Sequence, residues 1–286
     1  MNYRLVKLAS GAHSVHSLAH GETFHPVIGP VAEAEALYVN QLKLRERLGK
    51  HEGEFIIWDV GLGAAANPIT LLRAIHDLSV AVRIVSFDQT LEPLEFALSH
   101  SEALGYLSGY ETHLRRLFQD HECDFIDQKA TVSWSVGVGD FPTLLNSNEA
   151  ERWRKPHAIL FDAYSPAKNP AMWTQPLFAR IFQLLDPARP CAMPTYSRST
   201  MLRVSLLLAG FYVGAGHATG EKEETTIAAN TLDLIDEPLD MHWLKRARNS
   251  TSAEPLWEPV YRQARLSAGT LAKLEKHPQF IEALKR

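Results

Sequence analysis

Residues Phe55-Ile56-Ile57-Trp58-Asp59-Val60-Gly61-Leu62-Gly63-Ala64-Ala65-Ala66 decide the fold. An apolar run ends in an acid, two glycines make a turn, and alanines open a helix. An apolar run without alternation reads as a strand buried on both faces, as in parallel sheets. Glycine at 61 and 63 lets the backbone approach a bound group where a Cβ would collide, and the helix behind the turn presents free N–H groups.

Outward from this unit the chain keeps a βα rhythm. Strands are predicted at 55–60, 82–88, 130–136, 157–162 and 190–195, with helices near 66–77, 90–105, 108–122, 174–185 and 199–208. That alternation argues an α/β fold with a doubly wound, mostly parallel sheet. Two β-like runs, Phe211 to Gly216 and Glu224 to Ala229, flank the turn chemistry of His217 to Lys222 and predict a terminal antiparallel hairpin. Upstream, residues 3–18 alternate around Ser10-Gly11, a small β-hairpin, and Gly21 to Pro30 is turn-rich. Ala32 to Leu48 then has helical spacing, with Ala36, Val39 and Leu42 on one face. Asp236 to Pro259, with three prolines, reads as a linker, and Pro259 to Arg286 as a C-terminal helical extension. The expected organisation is a hairpin and helix arm over 1–50, an α/β domain over 51–235, and a linker with a basic extension over 236–286.

Composition is that of an ordinary globular chain, 45% hydrophobic and 22% charged over 286 residues. No targeting-type leader or membrane-length apolar window is read in it, so a cytoplasmic protein without membrane association is expected. Cys123 and Cys191 form no CxxC pair, which predicts neither a disulfide framework nor a thiolate metal site. A formal net charge of −4 argues against holding nucleic acid by bulk electrostatics alone. The balance is uneven: from Met241 to Arg286 there are nine Lys or Arg against four Glu, either a surface for an anionic partner or a solvated helix face.

Acids recur where strands end. Gly61-x-Gly63-x-x-Ala66 satisfies the dinucleotide fingerprint, Asp59-x-Gly61-x-Gly63 suits S-adenosylmethionine equally, and a tight structural turn is a third reading. Asp88 closes the next strand 25 residues after Gly63, where a carboxylate accepts from both hydroxyls of a ribose or, alternatively, caps the following helix. In Gly137-Val138-Gly139-Asp140-Phe141-Pro142, Asp140 is placed to accept from an adenine amine with Phe141 against the ring; a Gly-Asp turn starting a helix explains the same residues. Asp162 ends the fourth strand and leads into Ala163-Tyr164-Ser165-Pro166-Ala167-Lys168-Asn169-Pro170-Ala171-Met172-Trp173. A carboxylate there can orient an amine and take up its proton. Tyr164 and Trp173 are candidates to stack on a base, Lys168 to meet phosphate and Asn169 to bond a base edge, against a plainer reading of core, solvated lysine and turn.

The stretch Phe161-Asp162-Ala163-Tyr164-Ser165-Pro166-Ala167-Lys168-Asn169-Pro170-x-Met172-Trp173 resembles the signature of the MnmC-like methyltransferase family. That family is the methyltransferase part of the bacterial enzymes that finish 5-methylaminomethyl-2-thiouridine at the tRNA wobble position. The resemblance extends to Gly21-Glu22-Thr23-Phe24-His25-Pro26, Gly29 and Glu35-Ala36-Leu37-Tyr38-Val39, to the three cofactor-type motifs, and to the hairpin at Leu208 to Phe211 and Gly220 to Thr226, about residues 3–230. It implies a class I S-adenosylmethionine-dependent fold and N-methylation of an aminomethyl-uridine in tRNA, with a stand-alone form in place of a fused flavin-dependent oxidase half. Asp162 would be the catalytic acceptor of the amine. Asp59, Gly61, Gly63, Asp88, Gly139, Asp140 and Phe141 would surround the cofactor, and Glu35 with Tyr38 would help close its pocket. Tyr164, Ser165, Lys168, Asn169, Trp173 and Lys222 would line the substrate side. A separate partner enzyme would supply the aminomethyl precursor, and no metal is implied.

Two departures from the family pattern stand out. The glycine turn continues Ala64-Ala65-Ala66-Asn67-Pro68 where Thr or Gly is usual, and the hairpin turn reads Lys222-Glu223-Glu224 in place of Lys-Arg. Rival readings are a methyltransferase for a small amine or another nucleic acid, an NAD(P)-dependent oxidoreductase, and a non-catalytic cofactor-binding module.

Overall fold

The computed structural model describes residues 2–220 and 223–283, the side chains of Glu282 and Ala283 excepted, so Lys222 lies outside the described residues. The chain divides into two units: Met1–Phe141 with Pro156–Asp162 and His217–Glu223, and Pro142–Lys155 with Ala163–Gly216 and Glu224–Arg286.

In the first unit, alternation around Ser10-Gly11 gives the expected hairpin: β1 (Tyr3–Lys7) pairs antiparallel with β2 (His13–Ser17), and a short β3 (Glu22–Thr23) adds to β2. The helix expected over 32–48 is broken into an α-turn at Pro30–Ala34, a π-helical stretch at Glu35–Asn40 and an α-helix at Leu44–Gly49. The wider π turn lets the consecutive residues Leu37, Tyr38 and Val39 all point inward, which a 3.6-residue period does not allow.

The quoted apolar run is β4 (Glu54–Val60), buried from Phe55 onward. It is followed by β5 (Ala81–Asp88), β6 (Glu122–Asp127), β7 (Ala130–Val138) and β8 (Ala158–Phe161), in the spatial order β8-β4-β5-β7-β6. Pairing is parallel between β4 and β5, β4 and β8, and β5 and β7, and antiparallel only between β6 and β7. Helices Ala66–Ile75, Glu92–Ser99 and Glu111–Asp120 make the crossovers, as the rhythm predicts. The sequence reading lacks β6. Its alternation, Cys123 in and Asp124 out, is that of an edge strand, and its polar residues dilute the hydrophobic signal.

The second unit holds β9 (Ala192–Thr195), β10 (Tyr212–Gly216), β11 (Thr225–Ala229) and β12 (Glu237–Pro238), ordered β12-β10-β11-β9 and antiparallel throughout. The β10–β11 pair is the expected terminal hairpin. Helices Gln175–Leu184 and Thr200–Ala209 start on Thr174 and Ser199, whose hydroxyls accept from the backbone N–H groups of Leu177 and Leu202. The segment read as a linker contains a helix, Met241–Asn249, capped by Asp240 and burying Trp243, Leu244 and Ala247. Its prolines, Pro238, Pro255 and Pro259, lie outside the helix and do not interrupt it. The terminal extension packs into this unit: Gln279 accepts from Val213 N–H (2.8 Å) and donates to Val213 O (2.8 Å) and Leu239 O (2.7 Å), completing the backbone pairing of β10. No helix among the described residues is long and apolar enough to cross a membrane.

Candidate active site

Parallel strands end together, and the first unit laces its strand ends with backbone hydrogen bonds. Gly61 N–H donates to Phe87 O (2.9 Å), Gly139 N–H to Asp88 O (2.8 Å) and Asp162 N–H to Val60 O (2.9 Å). The turn after β4 winds through left-handed backbone at Gly61 (φ 97°), Gly63 (φ 51°) and Ala65 (φ 59°), where the Cβ of Ala65 makes that conformation strained. Gly63 N–H donates to Asp88 Oδ2 at 2.8 Å. Asp88 thus ties its own strand end to the glycine turn, and burial pushes its carboxyl up against these backbone donors.

Asp59 is completely buried. Ser86 Oγ donates to its Oδ2 (2.6 Å), and Trp134 Nε1 donates to Ser86 Oγ (2.9 Å), a chain across three adjacent strands. Among the described residues its Oδ1 has no partner. Burial first, then the charges of Asp162 and Asp88, push the Asp59 carboxyl up to about 7 in spite of the Ser86 bond.

Asp162 follows β8 and is partly open, its side chain 15% exposed. Asn67 Nδ2 donates to Asp162 Oδ2 at 2.7 Å, and His25 Nε2 stands 3.6 Å from the same oxygen. The other ring nitrogen of His25 lies 4.0 Å from Glu33 Oε1. Sequence reasoning missed all three neighbours. Asn67 sits in the altered glycine turn, His25 inside Gly21-Glu22-Thr23-Phe24-His25-Pro26, and Glu33 in the first turn of a helix, where an acid is commonplace. The available signal was His25 itself, a ring in a turn-rich stretch whose backbone is left-handed (φ 47°).

The remaining expected residues of this unit are placed as follows. Tyr38 is wholly buried, and its Oη donates to Phe161 O (3.2 Å), just before Asp162. Glu35 is exposed and borders a cavity of about 380 Å³ together with Gly29, Pro30, Leu104 and Tyr106, whose Oη donates to Ala64 O in the glycine turn (3.0 Å). Asp140 is exposed, while Phe141 is buried with its ring 5.1 Å from that of Phe87.

In the second unit, Trp173 is fully buried; its Nε1 donates to Tyr164 O (2.7 Å) and its ring meets Tyr196 edge-on at 5.8 Å. This corrects the expectation that Trp173 stacks on a base: a ring with no exposed face shapes the loop from beneath. The backbone N–H groups of Lys168 and Asn169 both donate to Ser165 O (2.9 and 2.8 Å), which folds the loop into a turn; Tyr164, Ser165 and Asn169 are half-buried and Lys168 is exposed. Glu224, one of the two acids of the altered hairpin turn, pairs with buried Arg203 at 3.1 Å, which offsets its charge.

The donor set around the glycine turn is one of acceptors. Asp59 offers a buried orphan oxygen, and Asp88 and Asp162 carry further carboxyls close enough to raise the Asp59 pKa. S-adenosylmethionine brings hydroxyl, amine and ammonium donors on a cation and fits such a cluster, whereas a pyrophosphate would be repelled by it. Residues 109–231 match a family model described as S-adenosyl-L-methionine-dependent methyltransferase. A tRNA 5-methylaminomethyl-2-thiouridine biosynthesis bifunctional protein MnmC from Methylibium petroleiphilum is 27% identical over 82% of this chain and 36% of its own length. Over most of its own length the chain is thus similar to an MnmC protein. A protein of the same description from Campylobacter concisus is 24% identical over 76% of this chain and 34% of its own. This methyltransferase therefore spans about a third of the length of the curated relatives it matches. The crystal structure of MnmC2 from Aquifex aeolicus shares the fold, with a TM-score of 0.70, 23% identity, and coverage of 99% of this chain and 85% of that one. The chain is an S-adenosyl-L-methionine-dependent enzyme of α/β fold, and the nicotinamide-dependent alternative is set aside.

Proposed function

We propose that this methyltransferase converts 5-aminomethyl-(2-thio)uridine at the tRNA wobble position to its N-methyl form. The observation that carries the reading is Asp162, an acid at a strand end, partly open and fixed by Asn67, which suits it to receive an amine. The relatives' part in 5-methylaminomethyl-2-thiouridine biosynthesis supports the same substrate class.

When bound, the cofactor supplies an electrophilic methyl group. The chain's task is then to present a nitrogen whose lone pair is free. Asp162 orients the amine with one carboxylate oxygen and accepts its proton, and Tyr38 holds the backbone just before that acid. Asp59, Gly61, Gly63, Asp88, Gly139, Asp140 and Phe141 hold the cofactor, with Glu35 at the rim. Tyr164, Ser165, Lys168 and Asn169 meet the tRNA, Lys168 as a cation for phosphate and the others as polar contacts to the nucleotide. A separate enzyme supplies the aminomethyl group, and the reaction belongs to the tRNA-bearing compartment.

Nucleoside analysis of tRNA from a strain lacking the gene tests this: 5-aminomethyl-uridine nucleosides accumulate, and an unchanged profile refutes the tRNA reading. In the purified protein, Asp162→Asn lowers turnover about a hundredfold or more with S-adenosylhomocysteine affinity nearly intact. Wild-type turnover in that variant removes Asp162 from the chemistry.

A further inference from the structure

The stretch Trp257-Glu258-Pro259-Val260-Tyr261-Arg262-Gln263-Ala264-Arg265 is exposed at every residue and belongs to no helix or strand, yet it is fastened at both ends. Leu256 O, just before it, accepts from Gln175 N–H (2.8 Å), and Ala264 O accepts from the N–H groups of Ala253 and Glu254 (2.9 and 3.0 Å). Glu254 ties the stretch to the helix behind it: Oε1 accepts from Trp257 Nε1 (3.2 Å) and Thr270 Oγ1 (2.8 Å), and Oε2 from Ser267 N–H (2.8 Å). On this fastened backbone Trp257, Val260 and Tyr261 stand 45%, 53% and 41% exposed. Scattered apolar side chains at a surface are ordinary, but three within five residues on a held loop mark a place for a partner.

The charge around these rings selects the partner. From Met241 to Arg286 nine Lys or Arg against four Glu give +5, which leaves −9 for the rest of the chain. The acids nearby are occupied: Glu258 pairs with Arg262, Glu275 with Arg248, and Glu254 with the three donors above. Lys245, Arg246, Arg265, Lys273 and Lys276 have no ion pair among the described residues, and Lys273 Nζ stands 5.6 Å from the centre of the Trp257 ring. A protein partner asks for a contact centre depleted of charge. Rings interleaved with cations that lack an acid suit a polyanion whose unpaired bases stack and whose phosphates meet Lys and Arg. We propose that Trp257 and Tyr261, with Arg265 and Lys273, form a docking surface for RNA, the rings taking unpaired bases and the cations phosphates. The inference rests on the tRNA reading for the identity of the RNA, and adds to it a surface built from none of the residues assigned to the active site.

Fluorescence anisotropy with an unmodified tRNA transcript, repeated over a salt series, decides it. Trp257→Ala weakens binding about tenfold, while Trp257→Phe keeps most of the affinity, because stacking needs a ring and the Glu254 bond needs Nε1. Equal losses in the two variants would make Trp257 a structural support and overturn the proposal. Arg265→Gln combined with Lys273→Gln changes two exposed side chains that hold no acid, so the fold is spared. That variant binds tRNA more weakly, and its slope of log affinity against log salt falls by about one for each cation removed. S-adenosylhomocysteine affinity stays at the wild-type value in every variant. Affinity and slope unchanged in the double variant overturn the proposal, as does a wild-type chain that binds phosphatidylserine vesicles and not tRNA. Weakened tRNA binding in the variants of a protein unable to methylate aminomethyl-uridine would refute the substrate and leave the surface standing; normal methylation with tRNA binding unaltered in the variants would do the reverse.

Discussion

Gly63→Ala tests whether the glycine turn is built for close approach. Gly63 has φ 51°, in the left-handed region, and a Cβ there would lie 3.2 Å from Cε2 of the Phe24 ring. The backbone conformation costs an alanine about 1 kcal/mol, and displacing a half-buried ring by a few tenths of an ångström raises the total to about 1–2 kcal/mol. For a chain of this size that lowers the melting midpoint by roughly 2–6 °C. The displaced ring directly precedes His25, and the strained peptide is the one whose N–H donates to Asp88 Oδ2 at 2.8 Å. A hydrogen bond to a charged group is worth about 1.5–3 kcal/mol, so partial loss of it weakens S-adenosylhomocysteine binding about tenfold. Calorimetric titration and thermal melts read both effects. Gly11→Ala is the control: its φ is 87° but nothing lies within 4 Å of the new Cβ, so it lowers stability and leaves affinity alone. Unchanged affinity in Gly63→Ala, or an equal loss in Gly11→Ala, refutes the reasoning.

Asp59 makes the free protein's stability pH-dependent. Its carboxyl is raised from 3.8 to about 7 on folding, so within that window the folded state keeps a proton that the unfolded state has lost. Stability therefore falls as pH rises from about 4 to about 7 and then levels off, and Asp59→Asn flattens the decline; denaturant midpoints across the window that are parallel in the two proteins would contradict this. Gln279→Ala leaves the Val213 N–H without its acceptor and takes one donor from Leu239 O and one from Val213 O, which the Leu239 N–H still meets at 2.9 Å, and costs about 2 kcal/mol, read as a lowered urea midpoint with methyl transfer retained; an unchanged midpoint would show that the terminal extension does not support β10.

The central strands and their order in the chain were legible because β4, β5, β7 and β8 are apolar runs bounded by acids and glycines, a local signal. The acids at their ends were legible for the same reason: a strand that ends in Asp announces a position as well as a residue. What failed was local signal in conflict with packing. The π turn at Glu35–Asn40 has no period of its own in the sequence, β6 is too polar to stand out, and three prolines masked the Met241–Asn249 helix lying between them. Trp173 looked like a stacking surface because an aromatic in a polar loop invites that reading; only burial makes it a support.

Periodicity and punctuation by themselves determined an α/β chain with carboxylates at successive strand ends, since each of those features is written within a dozen neighbouring residues. The surroundings of Asp162 were decided by tertiary structure alone. His25, Glu33 and Asn67 come from three separate segments, and no spacing in a linear chain encodes that a ring at 25 and an amide at 67 will meet one carboxylate oxygen at 162. Folding brings them together because the strand ends, the glycine turn and the amino-terminal arm must each bury their apolar residues, and the polar ends of those segments are left facing one another.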